Sequence, residues 1–200
     1  MILNPEDNKG KWNSVFKNNN PIDVEIGMGK GDFIINMAKK YPNVNFIGIE
    51  MFDSVIVRAV QKLDMKDIPN LKLIRVDANE IENIFDKEIN TIYLNFSDPW
   101  PKNRHENRRL TSKLFLEKYK NIFKDKEMIE VRTDNRDFFL YSVESLGDMG
   151  YLLNDVSFNY QSPDLIMTEY ESKFRGKGAN IYHFFAEKWF KKSILFVIIG

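Results

Sequence analysis

The sequence predicts an α/β protein built around a mostly parallel sheet. Short apolar runs bounded by turn residues alternate with segments of helical period, which is the pattern of βαβ units. A glycine-rich turn joins the first predicted strand to the first helix, at the edge of a parallel sheet where α/β folds bind ligands. The 200 residues, 43% of them apolar, are enough for one domain with a substantial core.

Apolar runs predict seven strands. Five lie in the first two thirds of the chain, at 22–26, 44–49, 71–76, 90–96 and 127–131. The last third contains two more, at 152–158 and 181–186, which flank a polar loop. We find no repeat and no change of composition that would mark a second domain, so residues 1–200 are predicted to form one domain.

Helical periodicity predicts the connecting helices at 32–40, 53–66, 80–85, 111–123 and 138–149. In the second of these, Asp53 is the expected N-cap, and an apolar stripe that includes Ile56 and Ala59 is expected to be buried. In the fourth, Thr111 or Ser112 is the expected cap. Its inward residues are expected to be Leu114, Phe115, Tyr119 and Ile122. Gly150 is expected to close the last helix.

Composition excludes several classes of site and partner. Lys and Arg number 29, as do Asp and Glu, so contacts with nucleic acid must come from local basic patches. The chain has no cysteine and two distant histidines, His105 and His183. Disulfides and thiolate chemistry are therefore excluded, and we expect no metal site. The N-terminus does not resemble a signal peptide, and a cytoplasmic protein without a membrane segment is expected.

The C-terminal run 194–199 is apolar but far shorter than the roughly 20 residues of a membrane helix. It has strong β propensity, so exposure would favour aggregation. Three alternatives are open: an edge strand, docking in a groove, or a short unpaired tail over 191–200.

The turn after the first strand predicts a cofactor site. Gly27, Gly29 and Gly31 alternate with larger residues, which fits neither the dinucleotide fingerprint nor a P-loop. Glycine accommodates positive φ and lets a ligand approach the backbone. Glu25 would repel a phosphate but attract the ammonium of an amino-acid group. Glu50 ends the second strand and is placed to accept hydrogen bonds from ribose hydroxyls.

Asp77, after the third strand, could accept a hydrogen bond from an adenine amino group. One acid for an ammonium, one for a ribose and one for an adenine together describe S-adenosylmethionine. The alternative is that the glycines only make a tight turn and the acids cap helices.

A second functional segment follows the fourth strand. The apolar run ends at Asp98, which stands between Ser97 and Pro99, and a stiff basic loop follows. Its cations are suited to phosphate contacts, with a solvated structural face as the alternative. Trp100 is suited equally to stacking on a base and to packing beneath the loop. The cationic residues of this loop are Lys102, Arg104, His105, Arg108 and Arg109.

Five motifs resemble one family. They are, in order, EIGMGKGDF, FIGIE, LNFSDPWPKNRHENRRL, RTDNRDFF and MTEYESKF, and they are similar to those of the bacterial tRNA (guanine-N7)-methyltransferases over residues 9–187. The resemblance implies a Rossmann-like class I methyltransferase fold, with a mostly parallel seven-stranded sheet, its last strand antiparallel and helices on both faces. It also implies methyl transfer from S-adenosylmethionine to N7 of a guanosine in the variable loop of tRNA (position 46).

The resemblance also implies roles for individual residues. Its cofactor positions match Glu25, Glu50, Asp77 and Asp98, and its RNA-contact segment matches residues 104–109. Its substrate-binding positions match Lys102, Asp134, Thr168, Glu169, Tyr170 and Glu171. The sequence departs from the usual family pattern in starting almost at the segment that follows a basic N-terminal arm in most members, and in having asparagine at positions 103 and 107, where lysine is common.

The chemistry of guanine N7 requires no strong base, because its in-plane lone pair can attack a sulfonium methyl directly. Catalysis then consists of alignment, and a nearby carboxylate stabilises the charge that develops on the ring. Asp98, the predicted catalytic residue, and Asp134 are the candidates, and the sequence does not decide which of them faces the base.

Two other functions are open on sequence grounds. A class I methyltransferase acting on a small molecule or protein would be insensitive to RNA and salt. A non-catalytic tRNA-binding subunit would be expected to lack Glu25, Gly27 or Asp98, all of which are present. Both a monomer and a homodimer are compatible with the sequence.

Overall fold

The described residues of the computed structural model, 1–63 and 68–189, form a seven-stranded sheet with the order β3-β2-β1-β4-β5-β7-β6. All neighbouring strands are parallel except β7, which runs antiparallel to both β5 and β6. The predicted fold class is thus confirmed. The strands are β1 Ile22–Ile26, β2 Asn45–Glu50, β3 Leu71–Arg75, β4 Ile89–Asn95, β5 Lys126–Thr133, β6 Leu152–Ser157 and β7 Tyr182–Trp189.

Seven α-helices connect these strands within the described residues. They are α1 Trp12–Phe16, α2 Asp32–Lys40, α3 Asp53–Gln61, α4 Ile81–Ile84, α5 Lys113–Ile122, α6 Arg136–Asp148 and α7 Glu169–Arg175. The described residues also form three short 3-10 helices, Pro5–Asn8, Ala78–Glu80 and Asn103–Arg108. Predicted residues 64–66 of the second helix and the apolar tail lie outside the described residues. No helix of the described part is both long and apolar enough to cross a membrane.

The two faces of the sheet are covered differently. On one face α1, α4, α5 and α6 pack over a large apolar core that includes Val24, Leu94 and Val131. On the other face α2 and α3 cover β2 and β3 with a smaller core, which also includes Tyr93 of β4. Beyond that core, the second face has polar residues on β5 and β7, and the chain around α7 contacts them. The candidate site lies on this second face.

Several local predictions were wrong in detail. Leu114 is 45% exposed, and Leu116 is buried in its place. Helical spacing gives the reason: residues 115, 116, 119 and 122 lie on one face of α5, and residue 114 lies outside that face. Asp53 is not an N-cap: Phe52 occupies that position, and Asp53 pairs with Arg75 at 2.9 Å.

The polar segment before β7 contains a helix that the sequence analysis treated as loop. The side chain of Thr168 accepts a hydrogen bond from the backbone N–H of Glu171, which caps the start of α7. One turn later, Glu171 and Arg175 form an i,i+4 ion pair. Together these two local interactions turn a polar stretch into a short helix.

Candidate functional site

The glycine turn presents bare backbone to an open space. Gly27 and Gly29 have φ angles of 77° and 56°, and a Cβ built on either would meet no atom within 4 Å. The N–H groups of Gly27 and Met28 both donate to the carbonyl of Ile49, which fixes the turn against β2. The chain therefore bends sharply at glycines whose missing side chains leave room for a ligand.

Glu25 and Asn95 form a buried polar pair beneath this turn. The Asn95 amide donates a 2.9 Å hydrogen bond to Oε1 of Glu25. Glu25 Oε2 and Asn95 Oδ1 are buried and have no hydrogen-bond partner among the described residues. Burial raises the pKa of Glu25 to about 8, against the opposing effects of Asn95 and the Arg132 charge. Two buried acceptors without donors mark a place for a ligand that carries N–H groups.

A cavity of about 410 Å³ opens above this pair. Its walls come from the glycine turn, the end of β4, and the first turns of α7, which contribute Glu169, Tyr170 and Lys173. Lys30 of the glycine turn and Glu169 of α7 form a 2.9 Å salt bridge that connects two of these walls. The cavity is thus bounded on one side by backbone that the glycines expose and on another by a short helix.

Glu50 supports the glycine turn from below. One carboxylate oxygen accepts hydrogen bonds from the N–H groups of Met51 and Phe52, at 2.9 and 3.0 Å. The other accepts from the N–H of Gly29 at 3.1 Å. The side chain is 7% exposed and does not line the cavity. Its carboxylate holds the turn in shape and retains one free lone pair on the oxygen that faces Gly29.

The loop after β4 has a strained backbone. Phe96 and Trp100 have φ angles of 53° and 40°, a conformation that bulky side chains rarely adopt and that tends to mark functional sites. The N–H of Phe96 donates to the Arg132 carbonyl, which extends the pairing of β4 with β5 by one residue. The Phe96 ring lines the cavity and lies 5.1 Å from the ring of Tyr170.

Arg109 stabilises this loop through hydrogen bonds from the buried side. Its guanidinium donates to the carbonyls of Pro99 and Trp100 at 3.1–3.3 Å and lies 4.1 Å from the centre of the Tyr141 ring. The side chain is 9% exposed. Arg109 was predicted with the RNA-contacting cations, but its donors are directed at the protein's own backbone.

The other cations of the segment lie on an exposed 3-10 helix, Asn103–Arg108, or, for Lys102, at its N-cap position. Arg108 stacks over the Trp100 ring at 4.8 Å, and His105 meets the same ring edge-on at 5.7 Å. Lys102 and Arg104 are exposed. Trp100 therefore contacts two of the cationic side chains of its own loop.

Three further predicted acids, Asp77, Asp98 and Asp134, do not line the cavity. Asp98 is exposed in the loop two residues after Phe96. Asp134 follows β5, and its Oδ2 accepts a 3.3 Å hydrogen bond from the Tyr170 hydroxyl. Asp77 caps a 3-10 turn by accepting from the backbone and side chain of Asn79, at 2.8 and 2.9 Å. The structure thus links Asp134 to the cavity wall through Tyr170 and gives Asp77 a helix-capping contact.

Arg132 is the centre of a buried charge network that joins β5 to the chain around α7. It pairs with Glu130 at 2.6 Å on its own strand and donates to the carbonyl of Ile166 at 2.7 Å. Its guanidinium also lies 3.7 Å from Glu171, which is fully buried. Burial disfavours an ionised Glu130, but hydrogen bonds and charges from His183 and Arg132 outweigh burial and lower the pKa of Glu130.

Several residues of the cavity walls were absent from the sequence prediction, among them Asn95, Phe96 and Lys30, and so was Arg132 of the adjoining charge network. Asn95 carried a signal, because it is a polar residue in an otherwise apolar strand immediately before the Asp98 loop. Arg132 carried a comparable signal in β5. Phe96 and Lys30 carried none that the pattern of residue types could reveal.

A second cavity of about 350 Å³ opens on the same sheet face, between α2 and the chain around Tyr160. Asp23, Tyr93 and Glu130 lie among its walls, and no predicted site residue does. Within the described residues, no cluster of three or more His, Asp or Glu is arranged to hold a metal ion.

Comparison with known proteins gives a consistent family assignment. A family model described as "Putative methyltransferase" matches residues 19–184. The chain is 51% identical to the tRNA (guanine-N(7)-)-methyltransferase of Bacillus subtilis over 185 residues, which cover 90% of this chain and 87% of that protein. It is 50% identical to the protein of that name from a Geobacillus species over 186 residues, covering 91% of this chain and 84% of the relative.

Solved structures with the same fold are more distant in sequence. The 16S rRNA (adenine(1408)-N(1))-methyltransferase from Catenulisporales acidiphilia superposes with a TM-score of 0.65 at 14% identity, covering 96% of each chain. A SAM dependent methyltransferase from Aquifex aeolicus gives a TM-score of 0.59 at 15% identity, covering 89% of this chain and 88% of that one. At these identities the similarity shows the fold alone.

Proposed function

The chain belongs to the family of tRNA (guanine-N(7)-)-methyltransferases, and on that premise we propose that it methylates N7 of a guanosine in tRNA. The proposed methyl donor is S-adenosylmethionine, with S-adenosylhomocysteine as the product. The proposed target is the variable-loop guanosine at position 46. A tRNA substrate also favours the cytoplasm as the site of the reaction.

The residues around the cavity fit this donor. The observation that carries the proposal is the pair of buried, unpartnered oxygens on Glu25 and Asn95, which can accept hydrogen bonds from an ammonium group. The open space above Gly27 and Gly29 admits the rest of the molecule close to the backbone. Glu50 retains a lone pair for a ribose hydroxyl while it holds the turn. Bound S-adenosylmethionine would supply an electrophilic methyl group on a positively charged sulfur.

The protein's part in the reaction is to orient the base and stabilise charge. N7 carries a lone pair and no proton, so neither a general base nor a metal is required, and alignment accounts for most of the rate. Asp98 is the proposed catalytic residue, because a carboxylate beside the purine stabilises the positive charge that develops on it. Asp134 is the proposed acceptor for the N1–H and amino donors of guanine, held in place by the Tyr170 hydroxyl.

Aromatic rings next to the acids provide a surface for an inserted base. The Phe96 and Tyr170 rings lie 5.1 Å apart on the cavity wall, and Tyr170 stacks on Phe174 with ring centres 4.2 Å apart. A base taken out of the tRNA stack is commonly held between such side chains. We place the target guanine against this surface, with Thr168 and Glu169 at the adjoining edge.

The exposed cations of the 3-10 helix distinguish this proposal from methylation of a small molecule. Lys102, Arg104 and Arg108 lie on one exposed segment next to Asp98. A small substrate would not require this positive surface, whereas the tRNA backbone would bind to it. The alternative of a non-catalytic tRNA-binding subunit is disfavoured, because such a subunit would be expected to lack Glu25, Gly27 or Asp98, and the sequence contains all three.

A direct experiment tests the proposal. The protein is incubated with methyl-labelled S-adenosylmethionine and total tRNA, and the tRNA is digested and analysed for 7-methylguanosine. We expect label in that nucleoside for the wild type and a loss of about 100-fold or more for Asp98→Ala. Absence of 7-methylguanosine with folded wild-type protein would refute the function. Normal turnover of the Asp98 variant would show that this residue has no catalytic role.

A further inference from the structure

The two faces of α7 have different surroundings: one lines the cavity and the other is buried in the protein. Glu169, Tyr170 and Lys173 line the cavity. Successive residues of an α-helix are about 100° apart, so Glu171 and Arg175 project from the opposite side. The exposed fractions agree: Tyr170 is 43% exposed, and Glu171 is fully buried. The residue predicted to contact substrate at position 171 therefore faces away from the cavity.

Glu171 is held between two arginines. Its Oε1 accepts hydrogen bonds from Nε and Nη2 of Arg175, at 2.8 and 2.6 Å. Its Oε2 lies 3.7 Å from Nη1 of Arg132. The same Arg132 nitrogen donates to the carbonyl of Ile166 at 2.7 Å, two residues before the helix cap. Arg132 thus ties β5 to both the entry and the first turn of α7.

We propose that Glu171 is a positioning residue that acts through Arg132 and Arg175 to hold the cavity face of α7 in place, and that it does not touch the substrate. This inference rests on the proposed function, because the groups it positions are those we assign to the target base. Tyr170 precedes Glu171 directly and carries both the aromatic surface and the hydrogen bond to Asp134. A shift of α7 would therefore move the aromatic surface for the base and disturb the hydrogen bond that holds its acceptor, Asp134.

The charge balance of the network supports an anchoring role. Glu130 and Glu171 are matched by Arg132 and Arg175, with three of the four side chains at most 14% exposed and Arg175 at 16%. Removing one carboxylate leaves a buried guanidinium without its partner, which is strongly unfavourable in a low-dielectric interior. Arg132 lies on a central part of the sheet, so we expect the network to relax by displacing α7.

The test distinguishes positioning from substrate contact by changing Arg175 as well as Glu171, because Arg175 lies on the side of α7 away from the cavity. Glu171→Gln and Arg175→Met are prepared singly and together, with Glu144→Gln and Arg58→Met as controls that remove exposed charges elsewhere. Deuterium exchange of the 166–176 segment is measured on the substrate-free proteins. Then kcat/KM for tRNA and the Kd of S-adenosylmethionine are determined. Arg175→Lys, which keeps the charge, replaces Arg175→Met if that variant does not fold.

We expect both single variants to exchange faster in the 166–176 segment and to lose about tenfold or more in kcat/KM, since a small misplacement near the reacting groups has effects of that size. The double variant should be no worse than the worse single variant. A drop for Glu171→Gln with normal kcat/KM for Arg175→Met would overturn the proposal, as would unchanged exchange in both. Wild type that makes no 7-methylguanosine refutes the function itself, while the exchange data still decide whether the anchor exists.

Discussion

The Asn95 amide on β4 donates to the Glu25 carboxylate on the adjacent strand β1, and each side chain keeps one buried oxygen without a partner in the described structure. Burial raises the pKa of Glu25 to about 8. In the ligand-free protein at pH 7, this carboxyl is therefore mostly protonated. An ammonium group, in contrast, favours the ionised carboxylate. Binding of the donor and loss of the Glu25 proton are thus expected to be coupled.

The first prediction concerns this coupling. Binding of S-adenosylmethionine at pH 7 should release approximately one proton, because Glu25 must ionise to meet the ammonium. The affinity should rise with pH below about 8, approaching tenfold per unit. Calorimetry in two buffers of different ionisation enthalpy measures the number of protons released on binding. The Glu25→Gln variant is the control, because it lacks the titrating carboxyl group and should release no proton. An identical binding heat in both buffers would contradict the coupling.

The second prediction is that Glu25 lowers the stability of the ligand-free protein as pH rises. Its folded pKa of about 8 exceeds the ordinary value of 4.5, so between these values the folded state binds more protons than the unfolded state. The free energy of unfolding then decreases with rising pH across that window. Glu25→Gln should unfold at a higher temperature than wild type at pH 8, with a smaller difference at pH 5. It should also bind the donor poorly.

Thermal unfolding of both proteins at pH 5, 6.5 and 8 measures this effect. Burial also raises the pKa of Asp23, which is retained in both proteins and adds the same slope to each. The difference between the two curves therefore isolates Glu25. Parallel curves would show that Glu25 titrates normally in the folded protein.

The fold was predictable because each strand carries a clear apolar signal and each turn has its typical residues. The glycine turn was also predictable, since three alternating glycines at a strand end have few other uses. The environment of a side chain was harder to predict. Arg108 and Arg109 are adjacent and chemically identical, yet Arg108 is exposed while Arg109 is buried against Tyr141. Only the tertiary path of the loop separates them, and no local pattern records it.

Glu171 shows the same limitation. A polar segment with Thr168, Glu169 and Glu171 suggests a solvated loop that closes over a substrate. The helix forms because of one cap and one i,i+4 pair, and its buried side is set by Arg132, which is 39 positions earlier in the chain. Contacts between segments so far apart leave no periodic signal in the sequence.

The third prediction separates the two neighbouring arginines. Arg108→Glu should weaken tRNA binding and reduce the slope of log affinity against log salt by about one or more, because an exposed phosphate contact is lost. Arg109→Met should instead lower the unfolding temperature, because the carbonyls of Pro99 and Trp100 lose their donor. Its salt slope should match that of the wild type.

Binding isotherms at several salt concentrations, together with thermal scans, measure both effects. The Kd of S-adenosylmethionine serves as the control and should stay the same for Arg108→Glu. A reduced salt slope for Arg109→Met, together with a normal unfolding temperature, would show that Arg109 contacts RNA after all. An unchanged salt slope for Arg108→Glu would show that the 3-10 helix is not part of the tRNA interface.

The last prediction concerns the Lys30–Glu169 salt bridge, which joins the glycine turn to α7 beside the cavity. Both side chains are about half exposed, so the bridge should add little to the stability of the fold. Its effect should appear instead in the release of bound donor, because we expect the two walls that it connects to separate as the ligand leaves. Lys30→Met should speed dissociation about threefold and leave the unfolding temperature nearly unchanged.

Stopped-flow displacement of S-adenosylmethionine measures the dissociation rate. Lys40→Met is the matched control, because Lys40 forms a comparable exposed bridge with Asp164, neither of which lines this cavity. Exchanging the charges, Lys30→Glu with Glu169→Lys, should restore slow release if the bridge itself is responsible. Fast release in the exchanged variant would show that Lys30 acts by direct contact with the ligand, and equal rates in all variants would show that these walls do not limit its exit.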